Sequence, residues 1–184
     1  DARAFGVVEL DASNRILTFN EKMENPPTNV INAGCYIFNR KVIDEIPAEK
    51  IVSVERETFP GLLKRGAKVF GFVDTSYWLD IGTPSALLKA SKDLLSGAIN
   101  SAATPAHNGD VLILDGGEVD SSAKISNGSV VGAGAVVEAG AELDGSILFD
   151  DAVVGAGSKL KNCFVAPGFK VPANIHAEGN YFGF

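Results

Sequence analysis

The stretch that decides the fold reads Ile125-Ser-Asn-Gly-Ser-Val, Val131-Gly-Ala-Gly-Ala-Val and Val137-Glu-Ala-Gly-Ala-Glu. A large aliphatic residue opens each hexapeptide, and small residues and glycine fill most of the remaining positions. The pattern continues to Val171 with two shortened steps of five residues, from Leu143 to Leu148 and from Leu160 to Val165. A six-residue period of this kind is typical of a triangular parallel β-helix, in which each face is one hexapeptide and three faces make one coil.

In such a prism the aliphatic residues point inward and stack on those of the next coil, while tight corners favour Gly, Asn and Asp. The alternative is an antiparallel sandwich, which would show longer alternating strands with turns about every 8–12 residues. This stretch lacks that alternation. We therefore predict a parallel β-helix over residues 111–184.

The preceding half has a different composition. Residues 96–184 hold 14 of the 20 glycines and a net charge of −6, whereas residues 1–95 carry a net charge of −1. Between them, the small polar stretch 96–110 is typical of a linker. The sequence thus predicts three parts, with an α/β region in 1–95, a linker in 96–110 and the β-helix in 111–184.

Within the first part the pattern alternates between strands and helices, as expected of partial α/β architecture. We predict a hairpin from 6–10 and 15–19, a buried strand at 35–38, a helix capped by Asn39, a helix with Pro60 in its first turn, a strand at 68–73 and a helix opened by Pro84.

Charge and composition exclude several classes of function. The net charge of −7 disfavours binding to nucleic acid or to an anionic membrane. No apolar run reaches the roughly 18 residues that a membrane-spanning helix needs, and we expect no signal peptide. The two cysteines, Cys35 and Cys163, show no metal-binding spacing, so we expect buried thiols in a cytoplasmic protein.

Four motifs in order resemble the sugar-nucleotide pyrophosphorylases, and most of all the mannose-1-phosphate guanylyltransferases with a C-terminal hexapeptide helix. The motifs are Phe19-Asn-Glu21-Lys22, Asn32-Ala33-Gly34-Cys-Tyr36, Ser53-Val-Glu-Arg-Glu-Thr-Phe59-Pro60 and Tyr77-Trp78-Leu79-Asp80-Ile81-Gly82-Thr83-Pro84. The resemblance implies a partial Rossmann-like nucleotidyltransferase domain followed by a left-handed β-helix. It also implies that the family's Gly-rich triphosphate loop and first metal-binding Asp precede the start of this sequence, so we expect this stretch alone to be inactive.

The resemblance assigns substrate-binding roles to four residues. Lys22 matches the lysine that meets the sugar 1-phosphate, and Glu21 matches the residue that binds sugar hydroxyls. Gly6 matches the glycine at which the backbone approaches the sugar, and Asn32 the sugar-contacting amide. From the residues alone, other readings stay open: a solvated Glu–Lys pair, a glycine that starts a strand and an asparagine in a turn.

Asp80 matches the family's second metal ligand, which implies Mg²⁺ as the cofactor. The sequence places it at a strand end before a glycine turn, where ligand-reaching residues of α/β sheets lie. A carboxylate that caps the following helix is the alternative. Trp78 lines the sugar pocket in one reading and is an ordinary core tryptophan in the other.

The resemblance implies the reaction of GTP and mannose 1-phosphate to GDP-mannose and pyrophosphate, and a homo-oligomer. Glucose 1-phosphate with ATP or dTTP is the alternative, because the base-reading residues lie outside this sequence. Another alternative is a non-catalytic regulatory or assembly module. An acyltransferase is disfavoured because no histidine occurs between Asn108 and Ile175 to act as a base on the coils.

Overall fold

A computed structural model describes residues 2–184 and divides them into two compact units, one ending at Trp78 and one spanning Leu79–Phe184. The helix that the sequence places at the end of the first part belongs, by its contacts, to the second unit. The boundaries 1–95, 96–110 and 111–184 remain a prediction about domains.

The first unit is built on an antiparallel hairpin of β1 (Gly6–Leu10) and β2 (Ile16–Glu21), which confirms the predicted hairpin. The Asp11 carboxylate accepts hydrogen bonds from the backbone N–H of Ser13 and Arg15 and closes the turn. The strands are registered so that Gly6 faces Glu21. This register brings the start of β1 beside the end of β2.

Short helices follow the hairpin as the sequence predicts. Helix α1 (Arg40–Asp44) begins after Asn39, whose side chain accepts a hydrogen bond from the backbone N–H of Lys41. A π-helical turn (Val54–Thr58) leads into α2 (Phe59–Lys64), which has proline in its first turn. Both predicted helices are therefore confirmed.

Two predicted strands of the first unit do not form. Residues 35–38 and 68–73 are not assigned to any strand, and their one bridge joins Phe70 to Arg15. Among residues 2–184, the sheet of this unit contains only β1 and β2. Residues 68–73 touch the hairpin through two backbone hydrogen bonds, from the Ile16 N–H to the Val69 carbonyl and from the Gly71 N–H to the Asn14 carbonyl. Residues 35–38 have no strand partner in the described chain. As a result Ile37 is fully exposed, and Cys35, expected to be buried, is also exposed.

The second unit opens with helix α3 (Pro84–Leu95), the longest helix in the described part of the chain. The Thr83 hydroxyl caps it by accepting a hydrogen bond from the backbone N–H of Ala86. The helix contacts the β-helix at Gly128, whose carbonyl accepts a hydrogen bond of 2.9 Å from the Ser91 hydroxyl.

The rest of the unit is a parallel β-helix, as predicted. Its strands are β3 (Leu112–Ile113), β4 (Glu118–Val119), β5 (Lys124–Ser126), β6 (Val130–Val131), β7 (Val136–Val137), β8 (Glu142–Asp144), β9 (Ile147–Leu148), β10 (Val153–Val154), β11 (Lys159–Lys161), β12 (Phe164–Val165), β13 (Lys170–Val171), β14 (His176–Glu178) and β15 (Tyr181–Phe182). They form three sheets, in the orders β4–β7–β10–β13, β5–β8–β11–β14 and β3–β6–β9–β12–β15. His176, which the repeat pattern leaves outside the coils, therefore lies in the last coil.

The core of the prism consists of the aliphatic residues that the six-residue period picks out. Eight of the nine from Ile125 to Val171 are at most 2% exposed, namely Val131, Val137, Leu143, Leu148, Val154, Leu160, Val165 and Val171, whereas Ile125 is partly buried. Burying one such side chain stabilises the fold by roughly 1.5–3 kcal/mol. The pattern therefore predicts both the architecture and the residues that hold it together.

One corner of the prism differs between coils. It contains three residues (127–129) between β5 and β6, but two (145–146) between β8 and β9. Gly145 stacks on Asn127, so the additional residue is Gly128. A Cβ atom at Gly128 would lie 2.6 Å from the Cα of Lys92 in α3. Only glycine therefore allows the helix to approach this corner so closely.

Candidate functional site

The site lies at the open end of the hairpin, where β1 begins and β2 ends. Gly6 is buried and pairs with Glu21 across the hairpin. A Cβ atom at Gly6 would lie 2.9 Å from Oε2 of Glu21 and 3.3 Å from the ring of Phe19. The absence of a side chain at Gly6 thus makes the space that the Glu21 carboxylate occupies.

The backbone of Asn32 is hydrogen-bonded to Gly6 at the start of β1. The segment 30–32 runs along β1, with a bridge between Val7 and Ile31. The backbone N–H of Asn32 donates a hydrogen bond of 2.8 Å to the carbonyl of Gly6. The structure therefore brings together three of the residues that the sequence selects, although they lie far apart along the chain.

Lys22 follows directly on β2 and turns the chain. Its φ of 52° is in the left-handed region, which non-glycine residues seldom adopt. Its backbone N–H donates a 3.2 Å hydrogen bond to the carbonyl of Phe5, and its side chain is exposed to solvent. The turn places an exposed cation next to the half-buried carboxylate of Glu21.

Trp78 borders this region from the end of the first unit. Its ring meets that of Phe5 edge to face, with the centroids 5.4 Å apart. The side chain is 43% exposed. Trp78 is therefore not an ordinary core tryptophan, and it lies against the residue that precedes Gly6.

Two functional candidates carry no role in the sequence reasoning, although both lie in the quoted motifs. The hydroxyl of Tyr36 accepts a hydrogen bond from Nδ2 of Asn32 and donates one of 2.8 Å to Oε1 of Glu55. Burial, and then the nearby carboxylates of Glu55 and Glu21, raise the pKa of Tyr36 despite the opposing bond from Asn32. The donated bond lowers the pKa of Glu55. The only sequence signal was their position inside motifs shared with a family.

A cluster of aromatic rings centred on Phe59 packs against Tyr36. The ring of Phe59 is 5.0 Å from that of Tyr36, 5.1 Å from Phe19 and 5.7 Å from Phe38. Phe59 itself is only 7% exposed. The rings restrict the side chain of Tyr36, so the polar groups of the site rest on a packed apolar layer.

Asp80 belongs to the second unit. It does not end a strand, as the sequence reasoning expected, but lies exposed in the loop before α3. The strand fails to form because residues 77–82 have no strand partner in the described chain. Asp80 is not the cap of α3 either, since Thr83 fills that position. Its carboxylate lies beside Gly82, where a Cβ atom would be 3.2 Å from Oδ2.

The described residues do not fit a complete metal centre. No group of three or more His, Cys, Asp or Glu side chains among residues 2–184 is arranged to hold a metal ion. Mg²⁺ prefers six oxygen ligands in octahedral geometry, and Asp80 offers a single exposed carboxylate. The described helices reach at most 12 residues, which is too short for a membrane span.

The family described as "Nucleotidyl transferase" matches residues 1–97, which is more than half of the 184 residues. The chain belongs to the nucleotidyl transferase family. A second family, described as "GlmU-like, C-terminal hexapeptide", matches residues 99–178 and covers most of the β-helix. The resemblance drawn from the four motifs is thereby confirmed.

Curated relatives of this nucleotidyl transferase span several substrates by name. Mannose-1-phosphate guanylyltransferase of Mycobacterium tuberculosis is 48% identical over 158 residues, which cover 85% of this chain and 44% of that protein. Glucose-1-phosphate adenylyltransferase of Acetivibrio thermocellus is 26% identical over an alignment of 201 positions, which covers 95% of this chain and 46% of that protein. The chain thus spans a little under half the length of these relatives.

Proposed function

We propose that this chain supplies the sugar-phosphate side of a sugar-1-phosphate nucleotidyltransferase, with mannose 1-phosphate and GTP as the substrates. The single observation that carries the proposal is the convergence of Gly6, Glu21 and Asn32 next to the exposed cation of Lys22. The 48% identity to a mannose-1-phosphate guanylyltransferase supports the choice of sugar and base. The proposal extends to a cytoplasmic location, which the two unpaired cysteines support.

In the proposed reaction, an oxygen of the sugar 1-phosphate attacks the α-phosphorus of the nucleoside triphosphate. A new P–O bond forms, the bond between the α-phosphorus and its bridging oxygen breaks, and pyrophosphate leaves. Two anionic groups must approach each other, so a cation beside the attacking phosphate lowers their repulsion. Lys22 fills this role, because a flexible ammonium can follow the phosphate oxygens.

The other residues hold the sugar. The Glu21 carboxylate accepts hydrogen bonds from hydroxyl groups, while the amide of Asn32 can both accept and donate. Gly6 leaves the space in which a ring can approach the hairpin. Together they fix the direction from which the phosphate reaches its target, which is the larger part of catalysis in phosphoryl transfer.

Mg²⁺ remains a proposed cofactor, with Asp80 as one of its ligands. When bound, the ion would neutralise charge on the phosphates. The described residues supply too few ligands for it. We therefore expect weak Mg²⁺ binding and no turnover by this chain alone.

A titration of the purified chain with mannose 1-phosphate in a calorimeter tests the proposal. We expect binding, and a weakening of about tenfold to a hundredfold in Lys22→Ala, which removes a charge-assisted hydrogen bond. The exposed lysine of α1 offers a control, and Lys41→Ala should leave the affinity unchanged. Absence of binding contradicts the site, and tighter binding of glucose 1-phosphate favours the alternative substrate. Formation of GDP-mannose at rates typical of whole relatives contradicts the expected inactivity.

We also propose that the chain forms a homo-oligomer. Several large apolar side chains of the first unit are almost fully exposed, namely Ile37 at 100%, Ile51 at 98% and Phe72 at 93%. Exposed apolar groups of this size favour association with a further surface.

A further inference from the structure

The side-chain amide of Asn32 is held at both of its ends. Its Oδ1 accepts a 3.0 Å hydrogen bond from the backbone N–H of Gly34. Its Nδ2 donates to the hydroxyl of Tyr36. The amide therefore has one orientation, and one N–H and one lone pair remain for a further partner.

Glu55 decides the direction of this chain of hydrogen bonds. A tyrosine hydroxyl has one proton, and Tyr36 donates it to Oε1 of Glu55 over 2.8 Å. The oxygen of Tyr36 can then only accept from Asn32. The other carboxylate oxygen of Glu55 accepts a 3.2 Å hydrogen bond from the hydroxyl of Ser53, which fixes the carboxylate in turn.

Aromatic packing holds the chain of hydrogen bonds from Glu55 through Tyr36 to Asn32, here called the relay, in place. The Tyr36 ring lies edge to face against Phe59, with the centroids 5.0 Å apart, and 6.0 Å from the ring of Phe38. Burial together with the carboxylate of Glu55 raises the pKa of Tyr36, so the hydroxyl keeps its proton at neutral pH. The direction of the hydrogen bonds is therefore stable under physiological conditions.

The relay ends where the sugar would lie. The backbone N–H of Asn32 is bonded to the carbonyl of Gly6, which faces Glu21 across the hairpin. Asn32, whose amide the relay orients, thus lies in one row with Gly6 and with Glu21, whose carboxylate is proposed to bind sugar hydroxyls.

We infer that Tyr36 and Glu55 are positioning residues that orient the Asn32 amide toward a sugar hydroxyl, and that they thereby set the preference between sugar epimers. The inference rests on the proposed binding of a sugar 1-phosphate. Epimers differ in where one hydroxyl points, and a fixed amide can satisfy only one of the two arrangements. The wrong epimer then leaves a polar group unpaired, which weakens binding by about tenfold.

The test compares the affinities of mannose 1-phosphate and glucose 1-phosphate, which are epimers at C2, for the full 184-residue chain. We expect the ratio of the two dissociation constants to fall about tenfold toward one in Tyr36→Phe and in Glu55→Gln. A glutamine can turn its NH₂ toward Tyr36 and reverse the relay, whereas Glu55→Asp keeps the charge and should retain more of the preference. Because the two residues act in one chain, the double variant should lose no more than either single variant.

The control is Tyr181→Phe, which removes the same hydroxyl from an exposed position on the β-helix. It should leave the ratio unchanged. The melting temperature of each variant shows whether the fold is damaged. A purely structural role of Tyr36 or Glu55 would weaken the binding of both sugar phosphates equally and leave their ratio unchanged. If Tyr36→Phe does not fold, Glu55→Gln, which changes few atoms, gives the answer.

The outcomes separate this inference from the proposed function. If the wild-type chain binds neither sugar phosphate, the proposed function fails and the inference with it. If the wild-type chain binds both equally, or if it discriminates and the two variants keep its ratio, the inference is overturned while sugar-phosphate binding stands. A loss of the preference in Tyr36→Phe and Glu55→Gln, but not in Tyr181→Phe, supports it.

Discussion

Gly6 and Glu21 face each other across the hairpin so closely that a single methyl group at Gly6 would lie 2.9 Å from Oε2 of Glu21. The position of the carboxylate therefore depends on a residue that contributes no side chain of its own. Since the clashing atom is the far end of a flexible side chain, a larger residue displaces the carboxylate more readily than it unfolds the hairpin.

This relationship predicts that Gly6→Ala changes ligand binding more than stability. The alanine methyl moves the Glu21 carboxylate away from its place, and we expect mannose 1-phosphate to bind about tenfold more weakly, as when one hydrogen bond to a charged group is lost. Calorimetric titration and thermal unfolding measure the two effects. The matched control is Gly61→Ala in α2, where the nearest atom is 3.5 Å away; unchanged binding in both variants contradicts the role of Gly6.

Tyr36 should ionise at higher pH than an ordinary tyrosine. Burial raises its folded-state pKa above the usual value of 10.0, so the contribution of the neutral hydroxyl to stability is fully present below about pH 10 and is lost as the pH rises through the raised pKa. We expect a late component in the ultraviolet titration of tyrosinate, absent in Tyr36→Phe and still present in Tyr181→Phe. A titration curve that Tyr36→Phe leaves unchanged in shape would contradict this environment.

Two glycines of the β-helix should respond very differently to alanine. A Cβ at Gly132 would lie 2.6 Å from the carbonyl carbon of Phe149 and 2.8 Å from the backbone nitrogen of Asp150, so the next coil must move. We expect Gly132→Ala to destabilise the fold by about 3 kcal/mol. At Gly140 no atom lies within 4 Å and only its φ of +67° resists a side chain, so Gly140→Ala should cost about 1 kcal/mol. Urea unfolding measures the loss of stability in both variants. Equal losses would contradict the view that the next coil lies too close to Gly132 to admit a side chain.

The exposed apolar residues of the first unit predict self-association. We expect light scattering to show a mass that grows with protein concentration, and Ile37→Ser combined with Phe72→Ser to reduce it, because less apolar surface then remains to be covered. Phe184→Ser changes an exposed aromatic residue of the last coil (73% exposed) and serves for comparison. Association that disappears only in Phe184→Ser assigns the contact to the β-helix, and a monomer at every concentration contradicts the proposed oligomer.

How far the sequence predicts the structure depends on the range of the interactions. The β-helix is predictable residue by residue, because Val131, Leu143 and Val154 each pack against neighbours one coil away and the period states that arrangement directly. The helix caps at Asn39 and Thr83 are local as well. A strand is different, since residues 35–38 need a partner that their own sequence does not specify.

The candidate site shows the same division. Gly6, Glu21, Lys22 and Asn32 match positions of the family. The hairpin register brings Gly6 to Glu21, and the segment 30–32 brings Asn32 to Gly6. The relay through Tyr36 and Glu55 could not be predicted, because a hydrogen bond across 19 residues depends on how the turn at Val54–Thr58 folds back. Spacing along the chain contains no trace of it.

The additional glycine in the corner at residues 127–129 gives a repetitive array a defined beginning. Coils that differ little in sequence could otherwise be exchanged or slip past one another by one register, since each offers the next the same edge. Helix α3 fits against Gly128 and has no equivalent seat at the two-residue corner 145–146. Gly128 alone therefore determines which coil lies against α3.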